Sequence, residues 1–210
     1  MIKREQEFKN AIRARLSDDR YEHSLNVADE CRKLAKMYGA DEDKTYTAGL
    51  LHDILKDTEL TKQRDYLAIN GVTLEDYELM APKLWHAVAG AFFVKEELYV
   101  YDNEIVDAIR CHTTGRRYMT LLDKILYTAD YISKDRSYDC VDSMRQKAYK
   151  GLEYAVLEGL QYTIKKLISG RYVIHPDTIG AYNQTLREVL ILEVAASSEA
   201  ARDSRNEGVI

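Results

Sequence analysis

The sequence is poor in the residues that interrupt helices or join separate domains. It contains only two prolines, Pro82 and Pro176, and its 10 glycines are scattered along the chain. A linker rich in Pro, Gly or Ser is therefore excluded, and segments with the alternating pattern of strands are nearly absent. We expect a string of helices with short connections.

Three further absences exclude whole classes of protein. The three cysteines are an odd number without Cys-x-x-Cys spacing, which excludes a disulfide framework and a thiolate zinc site. The formal net charge of −5 leaves no excess of Lys and Arg for a broad nucleic-acid surface. No stretch approaches the roughly 20 apolar residues of a membrane span, and the first residues lack the apolar core of a signal peptide. We expect a cytoplasmic protein that binds neither nucleic acid nor membrane.

The composition provides enough apolar side chains for one core. Of the 210 residues, 46% are hydrophobic and 31% are charged, which argues against a disordered chain. A chain of this length corresponds to one domain rather than two. We predict a single domain over residues 1–196 and a loose tail over residues 197–210.

Apolar residues recur at three- and four-residue spacing, which predicts an all-α helical bundle in a single domain. In the second helix, for example, Val27 and Cys31 lie on the face that is expected to meet the core. The predicted helices cover roughly residues 3–16, 17–39, 41–55, 60–70, 73–80, 84–93, 102–113, 119–133, 140–169 and 177–196. Three cations in the ninth helix, Arg145, Lys147 and Lys150, are interpreted as a solvated face.

The most informative feature is the adjacent pair His52-Asp53, because similar side chains lie on other predicted helices. These further candidates are His23, His86, His112 and Asp130. Imidazole nitrogens and carboxylate oxygens together suit divalent iron, manganese, cobalt or zinc, whereas carboxylates alone suit magnesium or calcium. Asp130 follows an apolar run that would bury it, and a metal ion would satisfy its charge. The pattern predicts a metal site assembled from several helices.

Cations and hydroxyls lie beside these candidate ligands. Lys56 follows Asp53 by three residues, and Arg20 precedes the candidate ligand of the second helix by three residues. His112 is followed by Thr113, whose hydroxyl, together with backbone amides, is suited to holding phosphate oxygens. The pattern therefore favours a phosphate as the substrate group.

Five segments, in this order, resemble the HD-domain metal-dependent phosphohydrolases and, within that superfamily, the YqeK branch. They are Arg20-x-x-His23, Gly49-Leu50-Leu51-His52-Asp53-x-x-Lys56, His112-Thr113-Thr114-Gly115, Lys124-Ile125-Leu126-Tyr127-x-Ala129-Asp130-Tyr131-Ile132 and Ile174-His175-Pro176-x-Thr178. The combination is far more specific than a single His-Asp pair. Together the segments span most of the chain.

The resemblance implies an all-helical symmetrical diadenosine tetraphosphate hydrolase that uses iron, with manganese or cobalt as alternatives, and releases two ADP. The metal ligands that it implies are His23, His52, Asp53 and Asp130. Asp53 and Lys56 are the expected catalytic residues. Contacts with the nucleotide or dinucleoside polyphosphate are expected from Arg20, Lys56, His86, His112, Thr113, Arg136, Tyr172, His175 and Pro176. The expected mechanism is in-line attack on phosphorus by a metal-bound hydroxide, while cations neutralise the phosphate charge.

The chain departs from the family pattern in one turn. The family commonly has Ile-Glu-Pro-x-Arg after the second aspartate, and this chain has Ile132-Ser133-Lys134-Asp135-Arg136. The arginine is retained, but loss of the glutamate and proline is expected to loosen the turn that aims Arg136 at phosphate.

Several alternatives stay open at this point. His86 and His112 either hold a second metal ion, with Asp53 as a bridge, or contact phosphate directly. The substrate is alternatively a nucleoside monophosphate or a guanosine alarmone, and a non-catalytic nucleotide-binding regulator is the rival outside enzymes. For the oligomeric state, we consider a homodimer as well as a monomer.

Overall fold

The computed structural model describes residues 4–206 and contains no strand within that range. Besides a short 3₁₀ turn at Pro82–Leu84, the helices are α1 (Glu5–Arg13), α2 (Asp18–Tyr38), α3 (Glu42–Leu51), α4 (Leu60–Ile69), α5 (Asp76–Leu79), α6 (Trp85–Glu96), α7 (Asn103–Cys111), α8 (Leu121–Ile132), α9 (Val141–Lys150), α10 (Leu152–Ser169) and α11 (Pro176–Asn206). The predicted all-α fold is confirmed.

Helices α2, α3, α7 and α8 form the centre of the bundle. Helix α3 packs against the other three, and α8 contacts α2 and α7 as well. Helices α4 and α6 pack together on the α7 side, while α9 and α10 cover α8. Fully buried apolar side chains such as Leu34, Leu50, Ile109 and Ile125 join the central helices into one core. This core fixes the helix ends that carry the predicted site residues.

Local signals explain where the central helices begin and end. Helix α2 ends at Gly39, which adopts a left-handed conformation with φ 72° that glycine tolerates best. The Asp41 carboxylate accepts hydrogen bonds from the backbone amides of Asp43 and Lys44 and so caps α3. Between α2 and α3 the backbones approach closely at Gly49, where an added Cβ would lie 2.8 Å from the Ala28 Cα.

Helix α3 is shorter than predicted, and the difference changes where His52 and Asp53 lie. The sequence predicts a helix through Leu55, but α3 ends at Leu51, and residues 52–57 form a series of turns. The carbonyl of Gly49 accepts a hydrogen bond from the His52 ring, at 2.7 Å, instead of continuing the helical ladder. His52 and Asp53 therefore lie directly after a helix rather than within it.

Two other predicted boundaries differ from the structure. The single helix predicted over residues 140–169 is two helices, because Gly151 adopts an extended conformation that lets α9 and α10 fold onto each other. Helix α11 continues to Asn206 rather than ending at residue 196, so residues 197–206 are helical instead of loose. Residues 207–210 of the predicted tail lie outside the described residues. None of the helices in the described range is long and apolar enough to span a membrane.

Candidate metal centre

The predicted metal ligands converge at the centre of the bundle. His23 projects from the second turn of α2, His52 and Asp53 follow α3, and Asp130 lies in the last part of α8. His112 directly follows α7 and joins the same cluster. Two overlapping groups have donor atoms that all lie within 4.8 Å of one another: His23, His52 and Asp130 in one, and His52, Asp53 and His112 in the other. The structure thus brings together side chains from four helices.

Three of the histidines are oriented by the backbone in the same way. The Nδ1 atoms of His52, His86 and His112 donate to the carbonyls of the residues three positions earlier, at 2.7, 2.8 and 2.7 Å. Because a carbonyl only accepts, Nδ1 carries the ring proton in each case. The lone pair of the neutral ring is then on Nε2, and these three Nε2 atoms face the Asp53 carboxylate.

The chemistry of these facing atoms fits a cation. Nε2 of His86 lies 3.1 Å and Nε2 of His112 lies 3.3 Å from Oδ1 of Asp53. Since all three atoms carry lone pairs, they do not hydrogen-bond, and Oδ1 of Asp53 and Nε2 of His52 are buried without a partner among residues 4–206. Buried polar atoms without partners are costly, and a divalent metal ion between them would satisfy them.

The pKa shifts favour the protonation states that a metal requires. Burial lowers the pKa of His52 and of His86 to about 4, so both rings are neutral at pH 7. Burial opposes ionisation of Asp53, but the pKa of this carboxyl is held well below its ordinary value, and the Lys56 ammonium, 3.5 Å from Oδ1, is the permanent charge that acts in this direction. For Asp130, His23 and Arg136 outweigh burial and lower the pKa in the same direction. The exception is His23, where burial opposes the charged form but Asp130 and Asp135 raise the pKa of the ring above its ordinary value.

Three cations contact the two aspartates. Nη1 of Arg20 lies 3.6 Å from Oδ2 of Asp53, and Nζ of Lys56 lies 3.5 Å from Oδ1 of the same residue. Lys56 also approaches Nε2 of His86 at 2.9 Å. Arg136 donates a hydrogen bond to Oδ1 of Asp130 and is the cation beside this second carboxylate. The phosphate contacts predicted for these cations stay a prediction.

The turn that carries Arg136 is well held, although the family's glutamate and proline are missing. Arg145 of α9 donates from Nε to the carbonyl of Ile132 and from Nη2 to the carbonyls of Ser133 and Arg136, at 3.0 to 3.1 Å. A guanidinium that binds three carbonyls of one turn replaces the rigidity of a proline. The interpretation of Arg145 as a solvated surface charge is therefore wrong.

Two of the residues predicted to contact the nucleotide, Thr113 and His175, line a small cavity. This cavity of about 60 Å³ is lined by Thr113 and His175, together with Arg110, Arg116 and other residues. The Oγ1 atom of Thr113 is buried without a partner in the described part of the chain. This volume is smaller than the roughly 300–1,000 Å³ of typical ligand pockets.

The remaining predicted nucleotide residues are placed differently. The His175 ring packs edge-on against Tyr77 with 4.8 Å between ring centroids, and Pro176 begins α11. Tyr172 is 64% exposed and does not line this cavity. A larger groove of about 440 Å³ lies along α2. Charged residues of both signs line this groove, and no predicted site residue is among its lining residues.

Sequence reasoning missed two residues that contact the centre indirectly. Asp135 lies 2.7 Å from Nδ1 of His23 through its Oδ2 atom, and Oδ1 of Asp135 accepts a hydrogen bond from Asn26. Asn26 follows His23 by three residues on α2, and this spacing is the one signal in the sequence that could have indicated it.

Comparison with known proteins places this centre in a family. The family model described as HD domain matches residues 20–135, which contain all of the predicted metal ligands. The chain is 36% identical to "Bis(5'-nucleosyl)-tetraphosphatase, symmetrical" of Halalkalibacterium halodurans over 177 residues, 84% of this chain and 94% of that protein. It is also 36% identical to the protein of the same name from Bacillus subtilis over 174 residues, 82% of this chain and 92% of the relative.

A solved structure agrees with these relatives. The crystal structure of a predicted HD superfamily hydrolase involved in NAD metabolism from Clostridium acetobutylicum matches with a TM-score of 0.86 and 34% identity. The match covers 90% of this chain and 100% of that chain. The sequence motifs, the helical bundle and the His/Asp centre thus lead to one assignment. The chain belongs to the HD domain family and, within it, to the family of the symmetrical bis(5'-nucleosyl)-tetraphosphatases.

Proposed function

We propose that this protein hydrolyses diadenosine tetraphosphate and related dinucleoside polyphosphates symmetrically, so that diadenosine tetraphosphate gives two ADP. The observation that carries the proposal is the set of buried, partnerless donor atoms on His52 and Asp53, flanked by Arg20 and Lys56. Such a centre suits a metal ion on one side and a polyphosphate on the other. The names of the relatives support the choice of substrate.

His23, His52, Asp53 and Asp130 are the residues that would hold the ion. A divalent metal bound there activates water as a nucleophile near neutral pH, because it lowers the pKa of water from about 15.7 towards about 7. Asp53 is the central ligand, since its two oxygens face His52, His86 and His112. Lys56 and Arg20 are placed to neutralise the phosphate that is attacked and the ADP that leaves.

Iron is the ion that we propose, with manganese or cobalt as functional substitutes. The donors are imidazole nitrogens and carboxylate oxygens, which accept all three ions. Whether His86 and His112 hold a second ion is decided by stoichiometry. Two equivalents of metal by elemental analysis support a second ion bridged by Asp53, and full activity at one equivalent assigns these histidines to phosphate contact.

The test is product analysis with metal-loaded protein and a panel of nucleoside monophosphates, guanosine alarmones and dinucleoside polyphosphates. We expect two ADP from diadenosine tetraphosphate, and ATP with AMP would show a different point of cleavage. Asp53→Ala should abolish turnover, while Asp65→Ala, which changes an exposed aspartate of α4, should leave it unchanged. Circular dichroism of both variants shows whether the fold is kept.

Two outcomes would contradict the proposal. Preferential cleavage of another nucleotide would keep the enzyme class and replace the substrate. If the metal-loaded protein binds a nucleotide but turns none over, a regulator would be favoured.

The cytoplasmic location and the homodimer also stay predictions, and light scattering of the purified protein tests the dimer.

A further inference from the structure

The four histidines of the centre differ in what holds the ring. For His52, His86 and His112 the partner of Nδ1 is a nearby backbone carbonyl. For His23 the partner is the side chain of Asp135, which lies 112 residues away in the sequence. The orientation of His23 therefore depends on an element other than its own helix.

Helix geometry explains why His23 needs such a partner. His23 lies inside α2, in its second turn, where the carbonyl of Arg20 accepts the backbone N–H of Ser24 in the helical ladder. His52 and His112, in contrast, directly follow the last residues of α3 and α7. A ring inside a helix is not held in this way by its own backbone, so the acceptor for Nδ1 has to come from outside.

Asp135 is held in place to supply this acceptor. Its Oδ1 atom accepts a hydrogen bond of 3.0 Å from Nδ2 of Asn26, while its Oδ2 atom faces Nδ1 of His23. Both of its partners thus lie on one face of α2, and Arg145 clamps the turn on either side of it. Because an ionised carboxylate only accepts, Nδ1 of His23 carries a proton. Nε2 of His23 lies 3.0 Å from Oδ1 of Asp130 and 3.2 Å from Nη2 of Arg136, and since a guanidinium only donates, the contact with Arg136 requires the lone pair on Nε2.

We propose that Asp135 is a positioning residue that fixes the orientation of His23 and keeps its Nε2 atom available for the metal ion, and that Asn26 fixes Asp135. Carboxylates that hold metal-ligating histidines commonly change metal affinity 10- to 100-fold when they are removed. The proposal rests on the ligand role proposed for His23 and does not depend on which nucleotide is cleaved. Residue 135 is at the variable position x of the family pattern Ile-Glu-Pro-x-Arg.

The experiment is a cobalt(II) titration of the full chain, followed by visible absorption, which reports both affinity and coordination. Asp135→Asn leaves one acceptor oxygen for two donors, so we expect cobalt binding to weaken about 10- to 100-fold and the absorption spectrum to change. Asp139→Asn, which removes the same charge at an exposed position of the same loop, should change neither.

A double variant separates positioning from a general structural effect. In Asn26→Asp with Asp135→Asn, the amide at position 135 donates to the carboxylate at position 26, and its oxygen accepts from Nδ1 of His23. We expect this variant to recover most of the lost affinity and the original spectrum, because both hydrogen bonds are restored at the same net charge.

Three results would overturn the proposal. Unchanged affinity and spectrum in Asp135→Asn would show that the carboxylate does not position the ring. A loss of affinity that the double variant fails to restore would show a merely structural role. Unchanged affinity in His23→Ala would show that the ligand set itself is wrong, which would contradict the metal centre and not only the role of Asp135.

Discussion

At the scale of single residues, Lys56 is the clearest case of a side chain for which we propose a chemical role. Its ammonium lies between Oδ1 of Asp53 and Nε2 of His86, at 3.5 and 2.9 Å. It reaches the centre from the turns that follow α3. Contact with both residues places its charge where a bound phosphate would meet the metal ligands.

We expect Lys56→Met to lower kcat by about 10²-fold or more, because it removes a charge that stabilises the transition state. The metal content should not fall, since Lys56 is not a proposed ligand. Steady-state kinetics and elemental analysis of the same preparation measure both effects. Lys62→Met, at an exposed site on α4, is the matched control and should behave as the unchanged protein. A parallel loss of metal in Lys56→Met would contradict this role.

The sequence predicts residues at the centre better than it predicts the groups that orient them. Four histidines and two aspartates are recognisable because donors of these types recur on successive helices, and the structure brings them together. Asp135 and Arg145 are not recognisable in the sequence. Asp135 contacts a residue 112 positions away, and Arg145 contacts carbonyls 9 to 13 positions away, and neither kind of contact leaves a periodic pattern. Polar contacts of this kind depend on the tertiary structure.

At the scale of elements, the α2–α3 pair positions most of the ligands. The two helices approach closely at Gly49, where an added Cβ would meet the backbone of Ala28 at 2.8 Å and Sγ of Cys31 at 2.9 Å. Neither helix backbone moves aside without displacing His23 or His52. The glycine of the Gly49-to-Lys56 motif is thus explained by packing rather than by chemistry.

We expect Gly49→Ala to destabilise the fold by about 1–3 kcal/mol, the usual effect of overpacking a core. Chemical denaturation measures this change in the free energy of unfolding. The matched control is Gly90→Ala in α6, where the added Cβ would have ordinary contacts of 3.6 and 3.8 Å, and where alanine favours the helix. An equal destabilisation of both variants would contradict the packing explanation.

The turn between α8 and α9 provides a second prediction for an element. Arg145→Lys keeps the charge but not the three hydrogen bonds to carbonyls of the turn, so Asp135 and Arg136 lose their fixed position. We expect metal affinity to fall about tenfold, as measured by cobalt titration. Asp142→Asn removes the exposed ion pair of Arg145 and leaves the turn intact, so it should bind metal normally. Normal binding by Arg145→Lys would show that the turn holds without its clamp.

Element boundaries could be predicted only where a capping residue marks them. The start of α3 at Asp41 and the end of α2 at Gly39 follow from capping residues that the sequence displays. The early end of α3 could not be predicted, because it coincides with a ring–backbone hydrogen bond of His52. The break at Gly151 depends on the packing of α9 onto α10, which is equally invisible in the sequence.

At the scale of the whole molecule, the metal ion is expected to contribute to stability, because its ligands come from helices that are distant in sequence. Ion binding at 1,000 times the dissociation constant stabilises a fold by about 4 kcal/mol. For a domain of this size, we expect removal of the metal by a chelator to lower the Tm by about 10 °C. Differential scanning calorimetry before and after metal is added back measures the change. A Tm that is independent of metal would show that the folded chain binds the ion no better than the unfolded chain does, which would contradict the proposed centre.

The last part of α11 is expected to be dispensable. Residues 190–199 are all exposed, and among residues 4–199 Val189 is the last buried side chain. We expect a chain that ends at Ala196, the predicted domain boundary, to keep its free energy of unfolding within about 0.5 kcal/mol. Thermal unfolding and cobalt binding of this shortened chain measure the effect. A marked loss of stability would move the boundary of the domain beyond residue 196.

The cations around the centre couple the binding of the metal ion to the binding of the nucleotide. The charges that face each other there are Arg20, Lys56 and Arg136 against Asp53, Asp130 and Asp135. These charges balance, so a divalent ion gives the centre a net positive charge and thereby attracts a polyphosphate. By thermodynamic linkage, the nucleotide must then raise the affinity for the ion by the same factor by which the ion raises the affinity for the nucleotide. The substrate is thus expected to protect the protein against metal loss, and metal should dissociate most readily between turnovers.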